Sequence, residues 1–126
     1  MTGEQILVVE DNEKNMKLFR DVLIATGYRT LEATTGGEAV DMASEHTPDL
    51  VLMDIQLPDI DGIEALSRLR ADDRTASMPV LALTAQAMEG DRERFLAAGF
   101  DGYLSKPVDI AEFVATVKRY CEDGSR

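Results

Sequence analysis

Asp54 ends an unbroken apolar run, Leu50 to Met53, within the stretch "DLVLMDIQLPDIDG". A carboxylate at the mouth of a buried segment is either a turn or cap residue, or a reactive or metal-binding group. Other positions repeat the pattern: Glu10 and Asp11 follow Ile6 to Val9, Thr84 follows the run from Val80 to Leu83, and Lys106 follows "DGYLS". If these side chains meet, their chemistry is constrained. Two carboxylates ~4–5 Å apart repel by ~3–4 kcal/mol at an effective dielectric of ~20, so three together must protonate or share a cation. An all-oxygen site with few protein ligands and room for water suits Mg²⁺, with Mn²⁺ the alternative. Asp54 could then attack phosphorus as an ionised nucleophile and carry an acyl phosphate. Lys106 offers a point charge for a phosphate oxygen and Thr84 a hydroxyl donor. Phosphoryl transfer rests on such positioning and charge neutralisation.

The elements between these residues decide whether they can meet. "QILVVE" reads as a short buried strand; after Asp11 and Asn12, either able to cap, Met16, Phe19 and Leu23 give a helical stripe that Gly27 stops. "YRTLEA" is a weaker strand, and "GGEAVDMASE" a helix closed before Pro48. "DLVLMD" is a strongly buried strand, followed from Asp61 by a helix with Ile63, Leu66 and Leu69 on one side. "PVLALTA" is another buried strand, with Pro79 tolerable at its start. Met88 to Ala98 reads as helix ending at Gly99, "DGYLSK" as the last strand, and "DIAEFVATVKRYC" as a helix. In that last helix Asp109 and Glu112 have capping-box spacing, and Ile110, Phe113, Val114, Val117 and Cys121 share one face. Five strand-then-helix units imply an α/β fold, a doubly wound parallel sheet with helices on both faces. Ligands in such sheets bind beyond the carboxyl ends of the strands, so the candidate residues converge on one rim.

Composition excludes several function classes. Lys and Arg number 13 against 24 Asp and Glu, a formal charge of −11, which repels nucleic-acid phosphates and anionic lipid. One cysteine, Cys121, permits no internal disulfide and no multi-cysteine zinc site. No apolar run approaches the ~18 residues of a membrane span, and the N-terminus lacks a secretory pattern. The expected setting is cytoplasmic. His46 reads as a loop residue, Asp59 as a turn residue and Asp61 as a helix cap; "EGDRERF" reads as a solvated charged run.

Taken together, "VVEDN" (Glu10, Asp11), "LMDIQLPDIDG" (Asp54, Pro58, Gly62), "ALTA" (Thr84) and "YLSKP" (Tyr103, Lys106, Pro107) resemble a response-regulator receiver domain of the chemotaxis-regulator type. The match runs from Gln5 to about Cys121. It implies a flavodoxin-like receiver fold, with five strands in the order 2-1-3-4-5 and five helices. It implies that Asp54 accepts phosphate from a histidine kinase or histidine phosphotransfer protein. Glu10, Asp11, Asp54 and the main-chain carbonyl of Gln56 would hold Mg²⁺, and Thr84 and Lys106 would contact the phosphoryl oxygens. Thr84 and Tyr103 would form the switch, the Lys106–Pro107 bond would be cis, and a protein partner would read the face made by the fourth helix, fifth strand and fifth helix. Two positions depart from the usual pattern: Glu10 stands for the commoner Asp, which lengthens one metal arm, and Val108 for a frequent Phe.

The expected domain spans residues 1–126 as a stand-alone receiver, with a core of about 5–121 and a polar tail over 122–126; a fragment of a hybrid kinase or longer regulator is the alternative. The protein is expected to be a signalling switch that catalyses its own phosphorylation and dephosphorylation, not a turnover enzyme. A phosphatase with an aspartyl nucleophile needs a second acid two residues on, where this chain has Gln56. A flavodoxin-like cofactor binder needs a phosphate-cradling loop after the first strand, where this chain has the acidic "EDNEKN".

Overall fold

The computed structural model describes residues 4–85 and 91–124; Met88, Glu89 and Gly90, expected to open the fourth helix, lie outside these. Strands and helices alternate: β1 (Gln5–Val9), α1 (Glu13–Ala25), β2 (Arg29–Ala33), α2 (Gly36–His46), β3 (Leu50–Asp54), α3 (Gly62–Arg70), β4 (Val80–Thr84), α4 (Asp91–Ala98), β5 (Gly102–Ser105) and α5 (Ile110–Gly124). The strands form one parallel sheet in the order β2-β1-β3-β4-β5. The chain therefore winds one way from β1 to β2 and the other way from β3 onward, which opens a crevice at the carboxyl ends of β1 and β3.

Every residue of β3 and β4 is buried, because helices cover both faces. Successive side chains point to opposite sides, so each strand feeds two cores. Leu7, Val9, Val51, Met53, Val80 and Ala82 pack with α2, α3 and Phe95 of α4. Ile6, Val8, Leu50, Leu52, Leu81 and Leu83 pack with Phe19 of α1 and Phe113 of α5, whose rings stack 5.3 Å apart.

Helix ends follow local chemistry. Asn12, not Asp11, caps α1: its Oδ1 accepts from Asn15 N at 3.1 Å. Asp61 caps α3 through Glu64 N at 2.8 Å, and Asp109 caps α5 through Glu112 N at 3.0 Å. Gly27, at φ 97°, ends the turn after α1 in a conformation that favours glycine.

Some expectations need correction. His46 is the last residue of α2, exposed and 3.6 Å from Glu45, because the helix ends only where Thr47 turns left-handed at φ 44°. Ile110 is 42% exposed, whereas Phe113, Val117 and Cys121 on the same stripe are buried in the core. Helix α5 continues past Cys121 to Gly124, as no helix breaker precedes that glycine.

Asp59, read from sequence as a turn residue, does more. Its carboxylate oxygens accept from Gly36 N at 2.7 Å and Gly37 N at 2.9 Å, the first amides of α2. Bonds from Gly37, Gly36 and Ile60 hold its pKa down from 3.8 to about 2. A depressed carboxylate stabilises the fold above its unfolded pKa. This contribution is lost as pH falls from about 3.8 to about 2.

Arg70 closes the opposite end of the sheet. Its guanidinium donates to Ala76 O (3.1 Å), Met78 O (2.6 Å), Gly99 O (2.8 Å) and Asp101 Oδ2 (3.1 Å), tying α3 to the starts of β4 and β5. Removing a charged donor from several partly buried acceptors costs about 2–3 kcal/mol. Arg70→Ala is thus expected to lower urea stability by that amount, and Arg70→Lys to recover little, since an ammonium cannot span the set. A loss under about 0.5 kcal/mol, the range of ordinary surface changes, would contradict this role.

Candidate functional site

The register carries β1 alongside β3, with Val9 opposite Met53, so Glu10 emerges beside Asp54. Glu10, Asp54 and Thr84 are all buried, while Asp11 is exposed at the rim. One carboxylate oxygen from each of Glu10, Asp11 and Asp54 lies within 4.8 Å of the others. Since Asn12 takes the capping role, Asp11 is not needed to cap the helix.

Lys106 reaches in from beyond β5. Its Nζ lies 2.7 Å from Glu10 Oε1 and 2.9 Å from Asp54 Oδ2. Asp54 Oδ1 accepts from Gln56 N at 3.0 Å, and Glu10 Oε2 from Asn12 N at 3.2 Å. Lys106 thus makes a close ion pair with each of the two buried carboxylates. Burial pushes the Glu10 carboxyl above its usual pKa; Lys106 opposes this and Asp54 adds to it. For Lys106, burial disfavours the charged form, but Glu10 and Asp54 outweigh it and hold the ammonium pKa above its ordinary value.

Three carboxylates against one ammonium leave two negative charges, which a divalent cation balances. Two buried carboxylates, an exposed Asp11 beside them and an oxygen-only donor set fit a hard cation. The extra methylene of Glu10 lets one carboxylate meet Lys106, Asn12 and this cluster at once.

Thr84 and Tyr103 lie on one side of the sheet. Val80 and Ala82 pack in the α2–α3–α4 core, and the strand period puts Thr84 on the same side. Tyr103 pairs with Ala82 in register, is half-buried against that core, and sits 6.0 Å from the Phe95 ring. Lys106 N donates to Thr84 O at 2.8 Å, and the Lys106–Pro107 bond is cis. The structure thus gathers Glu10, Asp11, Asp54 and Lys106, with Thr84 and Tyr103 on the adjoining strands.

The response regulator receiver domain family matches residues 6–118. The chain belongs to that family. This receiver is 49% identical over 120 residues to the polar-differentiation response regulator DivK of Brucella anthropi, covering 95% of this chain and 98% of that one. It also superposes on the receiver domain of a sensor histidine kinase from Pseudomonas aeruginosa, with a TM-score of 0.89 and 39% identity, covering 96% and 99% of the two chains. That domain was solved with magnesium coordinated in its active-site cleft. A CheY-like receiver domain protein from Methanospirillum hungatei is 27% identical at a TM-score of 0.87, with 98% of each chain covered. As a receiver, the chain is a phosphoacceptor signalling domain that works with histidine kinases and downstream partners. No helix among its described residues is long and apolar enough to cross a membrane.

Sequence reasoning missed the clasp of Asp59 on α2. The signal available was the Gly36–Gly37 pair at a helix start, where helix propensity alone disfavours glycine.

Proposed function

We propose that Asp54 is the phosphoacceptor of a magnesium-dependent signalling switch. The observation that carries this is the charge arrangement: Asp54 sits buried between Lys106 at 2.9 Å and the carboxylates of Glu10 and Asp11. Glu10, Asp11, Asp54 and the Gln56 carbonyl would hold Mg²⁺, with Mn²⁺ an alternative. The bound cation supplies positive charge that neutralises the incoming phosphoryl oxygens.

An Asp54 carboxylate oxygen bonds to phosphorus while the phosphorus–nitrogen bond of a partner's phosphohistidine breaks, its electron pair returning to the imidazole. Lys106 then exchanges part of its contact with Asp54 for a phosphoryl oxygen. The chain's own residues thereby promote phosphorylation, and water later attacks the phosphorus, breaking its bond to Asp54 and releasing inorganic phosphate; this is self-catalysis by a signalling protein. Residues 1–126 act as one receiver domain in the cytoplasm, where the phosphohistidine donor is made from ATP.

Output follows from Thr84, whose hydroxyl turns to the phosphate and opens room for Tyr103 to move further in. Phosphate biases this equilibrium by contacts it makes in one state only. A protein partner reads the surface of α4, β5 and α5. Support comes from a depression of about 270 Å³ there, lined by Leu96, Tyr103, Thr116, Arg119 and Tyr120 among others.

Asp11→Ala is expected to weaken Mg²⁺ binding about tenfold or more, and Glu10→Gln less, since Glu10 already contacts Lys106 and Asn12. Titration with Mg²⁺ followed by amide NMR shifts checks this, and unchanged affinity in Asp11→Ala contradicts the ligand assignment. The switch is tested with beryllofluoride and Mg²⁺. Wild type should shift around Tyr103, Thr84→Ala should bind but shift less there, and Asp54→Asn should not respond. A full response around Tyr103 in Thr84→Ala rules out the hydroxyl as the coupling element.

A further inference from the structure

We infer that Asp59 is a positioning residue for the metal site: its clasp on the first amides of α2 fixes the β3–α3 loop, residues 55–61, that carries Gln56. The inference rests on the reading of Gln56 as a metal ligand given above. The loop is closed at its base, where Gly62 N donates to Ile55 O at 2.8 Å and Gln56 N donates to Asp54 Oδ1 at 3.0 Å. Beyond those bonds it spans from sheet to helix across exposed residues, Gln56, Pro58 and Asp59 among them. Away from the base, Leu57 and Ile60 pack on the core, and the polar tether is the pair of bonds from Gly36 N and Gly37 N to the two oxygens of Asp59.

The glycines that open α2 are shaped to this loop. A Cβ on Gly36 would overlap Ile60 Cγ1, and one on Gly37 would lie 3.3 Å from Asp59 Oδ2. The two residues that a side chain would displace are therefore neighbours in the loop, Asp59 and Ile60. Thr35 already caps α2 by accepting from Glu38 N at 3.1 Å, so the helix does not need Asp59 merely to start. A two-point carboxylate clasp is geometrically specific and holds the loop in one place relative to the sheet. Fixing the groups behind a metal ligand is how surrounding residues set metal affinity.

The test is Mg²⁺ affinity, read by amide NMR titration of the full chain. Asp59→Asn preserves shape but turns one acceptor into a donor facing an amide N–H, which breaks half the clasp. Glu38→Gln is the control, removing a charge from the same first turn of α2 without touching the loop. Asp59→Asn is expected to raise the Mg²⁺ dissociation constant about tenfold, with Glu38→Gln close to wild type. A merely structural role for Asp59 at the helix end predicts similar affinities for the two variants, and that result overturns the inference. Asp59→Asn binding as wild type while Asp11→Ala binds weakly overturns the positioning role alone. Absence of Mg²⁺ binding by wild type overturns the site reading and this inference with it.

Discussion

Asp54→Asn is expected to take up no phosphate from a small-molecule phosphodonor in Mg²⁺, under conditions in which wild type gains one. The replacement keeps the shape of the side chain but leaves an amide, which has neither the charge to share a cation nor a nucleophilic oxygen of carboxylate strength. Lys106 keeps its contact with Glu10, so the ammonium is not left without a carboxylate. Removing one negative charge also relieves Glu10, whose carboxyl is pushed up by burial and by Asp54. The variant should therefore melt at or above the wild-type temperature while losing phosphorylation completely. Intact mass and a thermal melt check both halves. A phosphorylated Asp54→Asn protein would place the acceptor elsewhere.

Gly62→Ala is expected to destabilise the fold by about 2–3 kcal/mol, the cost of forcing atoms into a packed position. A Cβ at Gly62 would stand 2.6 Å from Asp54 O and 2.9 Å from Ile55 Cα, both backbone atoms that cannot step aside as a side-chain tip can. In a melt this corresponds to a fall of roughly 10 °C. The strain would fall on the peptide that carries Asp54, so phosphorylation should slow as well. At Gly37 the nearest atom is a carboxylate oxygen at 3.3 Å, and Gly37→Ala should cost far less. Equal melting temperatures for Gly62→Ala and wild type would contradict the close approach.

The contrast between these glycines shows what a single sequence carries. Strands β3 and β4 were legible because burial on both faces leaves unbroken apolar runs, Leu50 to Met53 and Val80 to Leu83, ending in polar residues. The rim could be expected from that pattern, since parallel strands deliver their carboxyl ends to one side. The strand order came from the family resemblance, because periodicity does not say which strands pair. Ile110 fits the apolar stripe of α5, yet burial needs something above the first turn, which a helical period does not report. Asp59 and Arg70 were out of reach for a similar reason: both partners of Asp59, and Gly99 and Asp101 among those of Arg70, lie 22 to 31 residues away along the chain. Nothing in the residues beside them marks a carboxylate bound for a distant helix end or a guanidinium bound for another strand.

The central claim is that Asp54 accepts phosphate with the help of a divalent cation held by its carboxylate neighbours. Its most direct test is the intact mass of wild-type protein after incubation with a small-molecule phosphodonor, in Mg²⁺ and in excess chelator, followed by peptide mapping. The account predicts a single added phosphate in Mg²⁺, located on the peptide containing Asp54, and none in chelator. Phosphate added equally in chelator, or mapped to a peptide without Asp54, would contradict it.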